Sequence, residues 1–471
     1  MPVDAAEWLA ENASSYAIQR TSRAGPSRAR LVAVVNSHSG ACKAQQLWDD
    51  VVAPLLGYAL PSNIGFDGTV QHTESAGDGE RIGRELRQPP DATTDAEEER
   101  LVLLVLGGDG TVHEVLNGLL LDQDGKEKLP AGRAELVLIP TGTANALYYH
   151  SFPPESPAYP ADTPASPFYS LLSFLRVSTS SADDERKARL RPVALALNTL
   201  PVTSSPSPSA RVVTSVVSSA ALHACLLHDA EELRETHPGL ERFKLAAQKN
   251  VQRWWDGSVQ LRGNVRVYDP AKRDWTAGSG VGQTTLQGPF AYFVTAVASR
   301  FEQSFVVAPF RNAQHPLAPR PGEPASVDVV CIRPERHGPT KRLVQAGRAQ
   351  EARDAWVQRI WDVTGGMYSG GQHVDLTYSA DELAEEGADA DAGRALSTEA
   401  VVEVFRCEAL EWLPSCKEDD LKSRLVCLDG ALHDLGGTPA PAGQATTPRC
   451  GLGIEAFRSG GGASAGVSIW T

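Results

Sequence analysis

Continuous apolar runs alternate with amphipathic stretches through the first third of the chain. Leu31-Val-Ala-Val-Val35 and Leu101-Val-Leu-Leu-Val-Leu106 hold no polar residue, and Glu135-Leu-Val-Leu-Ile139 holds one. Runs without a polar face predict strands covered on both sides. Thr69–Thr73 reads as a further, shorter strand. Between them, Asn36–Gly40 turns the first strand into a helix running to about Leu56, and Gly77–Leu86 suits a second helix. In Thr111–Leu121, Val112, Val115, Leu116, Leu119 and Leu120 share one face, which predicts a third. Pro140-Thr-Gly-Thr-Ala-Asn145 ends a strand and opens a short helix. Strands alternating with helices predict a parallel sheet with right-handed crossovers. The loops that follow such strands gather on the edge where ligands bind. Three of them here are Asn36–Gly40, Gly107–Thr111 and Pro140–Asn145.

The texture changes after residue 150. Residues 151–168, rich in Pro, Ser and Ala, end the alternation, and past about 190 short β-rich runs dominate. These are Pro192–Asn198, Arg211–Ser218, Val259–Tyr268, Ala291–Ala298, Ser326–Arg333, Val401–Arg406 and Arg424–Leu428, with turn residues between them. That pattern predicts an antiparallel sandwich, interrupted by one helical stretch at Asp229–Trp255. Thr199–Ser209 and Asp381–Ala395 read as loop insertions, and Pro89–Glu99 as a surface loop. The expected fold class is α/β plus all-β, a three-layer parallel-sheet domain followed by an antiparallel β-sandwich. The expected organisation is a lead-in (1–29) with a helix near Ala5–Tyr16, a nucleotide-binding α/β domain (30–150), a linker (151–190), a β-rich lipid-binding domain (191–435) and a Gly/Ala/Pro-rich, poorly ordered tail (436–471). There is no internal repeat.

Composition narrows the function. With 44 basic and 58 acidic residues the formal charge is −14, which argues against a nucleic-acid surface. Seven scattered cysteines without a CxxC pair give no zinc signature and predict a reduced, cytoplasmic compartment. No apolar core with basic flanks precedes Arg30, so no secretory signal is visible. No apolar run approaches the roughly 20 residues of a transmembrane segment, so a lipid substrate would be met peripherally, at a membrane surface. The chain gives no indication of oligomeric state.

Gly107-Gly-Asp-Gly-Thr111 carries the candidate chemistry. A turn with three glycines lets backbone amides approach an anion, and the helix behind it favours negative charge. Asp109 is the lone carboxylate of that turn. It suits a general base for a hydroxyl acceptor, or a ligand for Mg²⁺. Read without other blocks, the turn could also be a plain strand-to-helix connection. Asn36, Thr143 and Asn145 could equally be caps, and Arg234 and Arg242 solvated helix charges. His113 reads as a helix-surface residue, and His223 and His228 as structural. Trp254 and Trp255 read as core, with a lipid-facing edge as the alternative.

Together these blocks resemble the lipid kinases that share the diacylglycerol kinase catalytic domain, nearest the sphingosine-kinase branch. Asn36-Ser-His-Ser-Gly40 resembles that family's Asn-Pro-x-x-Gly loop, with Ser37 where Pro is usual. Gly107–Thr111, with its His113-Glu114-Val115 continuation, resembles the nucleotide loop, and Pro140–Asn145 the third block. Thr73-Glu74 resembles the Thr-Glu pair at the nucleotide edge, Asp229–Arg234 followed by Glu241-Arg-Phe243 the acidic-then-arginine block, and Cys427-Leu-Asp-Gly430 the closing strand. Ala431 stands where the family closes with glutamate, and Leu227 where sphingosine kinases carry the aspartate that contacts the head group.

The resemblance implies an ATP-dependent kinase acting on the primary hydroxyl of a membrane lipid, a sphingoid base first and diacylglycerol or ceramide next. ATP and Mg²⁺ are the implied cofactors, and Asp109 the catalytic residue. The implied nucleotide contacts are Asn36, Ser37, His38, Ser39, Gly40, Thr73, Gly107, Gly108, Asp109, Gly110, Thr111, Gly142, Thr143, Asn145, Arg234, Arg242, Asp429 and Gly430. Asp109 and Asp429 would hold the metal; Leu227, His228 and Asp229 would face the substrate. The alternatives are an NAD kinase-like small-molecule kinase and a non-catalytic lipid- or nucleotide-binding descendant.

Overall fold

The computed structural model describes residues 29–60, 69–87, 100–127, 134–178, 189–201, 210–237, 239, 241–277, 282–379, 381–382, 400–415, 420–436, 451–457 and 466–471. The lead-in helix, the Pro89–Glu99 loop and most of the two insertions lie outside them. The chain divides into two compact units at Ala194/Leu195 and again at Phe457/Arg458, so the first unit takes both ends of the sequence.

The first unit is a three-layer α/β fold. β1 (Ala29–Val35) leads through α1 (Ala44–Leu47), a π-helical turn at Trp48–Val52 and α2 (Ala53–Ala59) to β2 (Val70–His72). α3 (Asp78–Leu86), β3 (Arg100–Gly107), α4 (Asp109–Leu120), β4 (Ala134–Pro140), α5 (Ala146–Ser151), α6 (Tyr169–Ser178) and β5 (Leu190–Pro192) follow. β2, β1, β3 and β4 are parallel neighbours in that order, as the apolar runs predict. Alternate residues point to opposite faces. Leu31, Ala33 and Val35 therefore join Val102, Leu104, Leu106, Val137 and Ile139 in one core layer with Trp48, Val52 and Leu56.

Two expectations for this unit need correction. Residues 151–190 are more than a linker: Phe168, Leu171, Phe174 and Leu175 of the α6 region belong to that core. The last residues are an ordered strand rather than tail. β20 (Val467–Trp470) runs parallel to β4 and antiparallel to β5 and lies between them. Its Trp470 is buried, stands 5.6 Å from Phe174, and donates its indole N–H to Glu135 at 3.1 Å. A four-residue strand is too short to announce itself by periodicity, and its partners are more than 270 residues away in sequence.

The second unit is built on antiparallel sheets. β6 (Ala196–Leu200), β7 (Ala210–Thr214), β8 (Val217–Ala220), α7 (Ala221–Glu232), α8 (Glu241–Asn250), β9 (Gly257–Gly263) and β10 (Arg266–Asp269) open it. β11 (Asp274–Ala277), β12 (Gly282–Gln287), β13 (Tyr292–Ala296), β14 (Val327–Ile332), α9 (Gly338–Gln345) and α10 (Ala349–Tyr368) come next. β15 (Glu403–Cys407), β16 (Ala409–Pro414), β17 (Leu425–Leu428), β18 (Ala431–Asp434) and β19 (Leu452–Ala456) complete it. One sheet has the order β11-β10-β15-β14-β13-β8-β17-β18, the other β12-β9-β16-β19-β6-β7. The expected single helical stretch is two helices, and it begins at Ala221, ahead of Asp229. The twenty-residue α10 was not expected, because Gly365 and Gly366 and its polar run blur the apolar period. β19 also falls in the supposed tail, pairing with β16 and β6.

Candidate active site

The three expected loops meet at the C-terminal ends of β1, β3 and β4. Asn36 N–H continues the sheet to Leu106 O at 2.9 Å, and Thr141 N–H bonds Gly107 O at 3.1 Å. Side chains then tie loop to loop. Asn36 Nδ2 donates to Thr111 Oγ1 at 2.8 Å, and Ser39 Oγ lies 2.7 Å from Thr141 Oγ1. Two glycine positions decide how close the loops come. A Cβ on Gly142 would sit 2.4 Å from the Gly108 Cα, and one on Gly40, at φ +51°, would sit 2.2 Å from Thr141 O. Neither site has room for a side chain.

Asp109 begins α4, and its carboxylate crosses to the third loop. Oδ2 accepts the Ala146 amide at 2.8 Å and Oδ1 the Leu147 amide at 3.0 Å, the first two amides of α5. The residue is half-buried at the loop edge. These bonds fix the acid's direction. Sequence reasoning did not foresee this cap, because α5 is too short to advertise its N-terminus. Asn145, at φ 54°, closes its own turn, taking Gly142 N–H at 2.9 Å and giving Nδ2 to Gly142 O at 2.8 Å.

The side-chain roles expected for this edge therefore shift. Asn36, Ser39 and Asn145 spend their hydrogen bonds on the loops themselves; Thr143 and His38 are exposed, and Ser37 is half-buried. Gly110 faces open space, whereas Gly107 packs where a Cβ would meet Thr111 at 2.6 Å. Thr73 N–H bonds Val35 O at 3.1 Å at the adjacent strand end, and its buried hydroxyl has no partner among the described residues. His113 is buried in α4, contrary to the surface reading. Glu114, next in the chain, caps α3 by taking the Gly77 and Gly79 amides, each at 3.0 Å.

The remaining expected residues belong to the second unit. Asp429 is corrected as a metal ligand. At φ 49° it turns into the chain, where Oδ2 takes Ser215 N–H at 2.6 Å and Ser215 Oγ at 3.2 Å, and Oδ1 takes Val216 and Val217 N–H at 3.0 and 2.8 Å. Four donors satisfy a buried carboxylate and leave no lone pair for a cation. Gly430 completes that β-turn at φ 97°.

Asp229 is likewise corrected as a substrate contact. It is 1% exposed and accepts Lys422 Nζ at 2.6 Å and Asn250 Nδ2 at 2.7 Å, with His228 Nδ1 at 3.2 Å. Burial opposes its charge, but the hydrogen bonds from Lys422, Asn250 and His228 outweigh burial and hold its carboxyl well below the usual range. His228 and Leu227 are half-buried on α7. Arg234 is exposed and pairs with Glu231 at 3.1 Å. Arg242 is buried with its guanidinium 4.8 Å over the Phe243 ring, and its Nε has no acceptor among the described residues. Burial first, then the Arg234 charge, lowers its pKa.

A parallel α/β unit with a glycine-tight loop cluster and a helix-capping aspartate at its strand ends suits phosphate handling. Residues 30–163 match the diacylglycerol kinase catalytic domain family, which supports kinase activity for the chain. Among solved structures, a proposed diacylglycerol kinase from Bacillus anthracis str. Sterne aligns over 96% of this chain and 99% of its own, at 12% identity and a TM-score of 0.45. Yeast NADH kinase complexed with NADH aligns over 94% and 84%, at 10% identity and a TM-score of 0.34. No curated protein matches the chain. Among the described residues no helix is long and apolar enough to cross a membrane.

Proposed function

We propose that the chain is an ATP-dependent lipid kinase that phosphorylates a primary hydroxyl, with a sphingoid long-chain base as first substrate and diacylglycerol or ceramide as the next. The observation that carries this reading is the Asp109 carboxylate. It is aimed by two α5 amides and set in a loop cluster where Gly40, Gly108 and Gly142 permit backbone-close approach. The family match over residues 30–163 supports the class of reaction.

Phosphoryl transfer depends on placement and charge neutralisation. Backbone amides of the Gly107–Thr111 turn and the first turn of α4 would cradle the triphosphate, with exposed Thr143 as a side-chain donor. Ser39, Thr141, Asn36 and Thr111 hold the loops at a fixed spacing, so the cradle needs no rearrangement to accept phosphate. As the lipid oxygen bonds the γ-phosphorus and ADP leaves, the hydroxyl proton passes to Asp109. In the alternative role the half-buried Asp109 carboxylate, unlike Asp429, would hold Mg²⁺, which would offset charge on the phosphates. We assign the protein to the cytoplasm, meeting its lipid peripherally at a membrane surface.

The test is transfer of labelled γ-phosphate to sphingoid bases, ceramide, diacylglycerol, monoacylglycerol and NAD, by the wild type and Asp109→Asn. Label on a lipid that disappears in the variant supports the proposal. Label on NAD alone makes it a soluble-substrate kinase, and no transfer to any acceptor leaves a binding protein.

A further inference from the structure

α3 and α4 lie close enough for backbone to touch backbone. A Cβ on Gly83 would sit 2.3 Å from Val115 O, and one on Gly118 1.9 Å from Glu80 O, so neither position admits a side chain. Each helix also sends a charged side chain to one end of the other. Glu114 of α4 takes the Gly77 and Gly79 amides, at 3.0 Å each, where α3 begins. Arg87, which follows the last residue of α3, donates to the carbonyls of Gly118 and, at 2.6 Å, Leu121, where α4 ends. Helix ends leave such groups without intrahelical partners, and a carboxylate suits the first end as a cation suits the last.

The two clasps differ in what they hold. The Glu114 end carries the site. α4 opens at Asp109, five residues or about 7.5 Å along the helix before Glu114. α3 opens from the loop of residues 73–77, which leaves β2 beside the end of β1, where Thr73 N–H bonds Val35 O at 3.1 Å. Asp78 Oδ2 closes that loop by taking the Glu74 and Ser75 amides, each at 2.9 Å. Glu114 therefore joins the strand-end loop after β2 to the helix that carries Asp109. The loop lies one strand, about 4.8 Å, outside the loop after β1. It exposes the Glu74 carboxylate, which repels phosphate but accepts from hydroxyls.

We propose that Glu114 is a positioning residue for the nucleotide. It holds the 73–77 loop at a fixed distance from the Asp109 helix, so that the loop flanks the nucleoside end while the glycine loops take the phosphates. The inference rests on the kinase reading of this edge, and Glu114 acts through the loop without touching the ligand.

Affinity is measured on the full chain by equilibrium binding of a non-hydrolysable ATP analogue, and KM and kcat with the acceptor that the wild type labels best. Glu114→Ala should weaken analogue binding and raise the KM for ATP by roughly tenfold. Its kcat should stay within about twofold of wild type, the split expected when ground state and transition state lose the same contact. Glu114→Gln keeps one acceptor oxygen and should lose several-fold. Arg87→Gln opens the far clasp of the same helix pair; it should lower the denaturant midpoint and leave analogue affinity unchanged. Unaltered affinity in folded Glu114→Ala, or an equal loss in Arg87→Gln, overturns the proposal, because Glu114 would then only stabilise the helix pair. If Glu114→Ala fails to fold, Glu114→Gln decides by the same comparison. A wild type that binds the analogue yet labels no acceptor defeats the kinase reading alone, and the affinities still decide the role of Glu114. A wild type that does not bind the analogue overturns both.

Discussion

The carboxylate of Asp109 stands at the head of the helix that Ala146 begins, 2.8 Å from its amide, and so joins the second glycine-rich loop to the third. The same side chain that is proposed to take a proton thus also holds α5 in place. Asp109→Asn keeps the shape but loses the charge and one acceptor oxygen. Phosphate transfer should fall by at least about a hundredfold, while stability drops by only about 1–2 kcal/mol, the cost of a weakened cap. Parallel transfer assays and denaturant titrations check both; a folded variant with normal turnover would remove Asp109 from catalysis.

Gly142→Ala places a methyl group where the Gly108 backbone lies 2.4 Å away. The two loops must part. ATP affinity should fall by roughly tenfold or more, equivalent to about 1.4 kcal/mol, with the far-ultraviolet circular dichroism unchanged. Unaltered affinity in equilibrium binding would mean the loops do not form the phosphate cradle.

Asp429→Ala removes a carboxylate that satisfies the amides of Ser215, Val216 and Val217. Leaving buried amides unpaired should cost at least about 2–3 kcal/mol, and Mg²⁺ affinity should not change. A variant of normal stability with weakened Mg²⁺ binding would restore Asp429 as a metal ligand.

Trp470→Ala empties the last position of β20, the strand between β4 and β5 in the first unit's sheet. Loss of its packing against Phe174 and of its bond to Glu135 should lower stability by about 3–5 kcal/mol. The denaturant midpoint reports it. A wild-type midpoint would mean that β20 contributes nothing to this unit.

His223 lies against Tyr292 and Phe301 and bonds Ser219 Oγ at 2.8 Å. Burial pushes its pKa down to about 4. The folded state therefore prefers the neutral ring. This contribution is complete above the unfolded value of about 6.5 and is lost as pH falls from there through 4. His223→Gln should flatten the stability loss between those limits, measured by denaturant midpoints across the range. An unchanged pH slope would assign the loss to other groups.

The parallel core of the first unit was legible because each strand carries its own evidence. A run such as Leu101–Leu106 has no polar face and is covered on both sides wherever it folds. The three site loops were legible for the same reason: glycines and a lone acid between a strand and a helix are local facts. In the second unit most long runs became strands, but α10 stayed hidden, because its glycines and polar residues blur the apolar period, and Gly366 packs against His373 of the 3-10 turn at Gln372–Asp375.

By itself the chain determined where strands end and which residues stand at those ends, since hydrophobic period and turn chemistry act over a few residues. Only the tertiary structure decided what those residues do. It turned Asp429 and Asp229 inward to serve amides and an ammonium group, drew the last strand from beyond residue 460 into the first sheet, and left Asp109 at the loop edge. A carboxylate's role is set by the donors that surround it, and those donors come from residues far away in sequence.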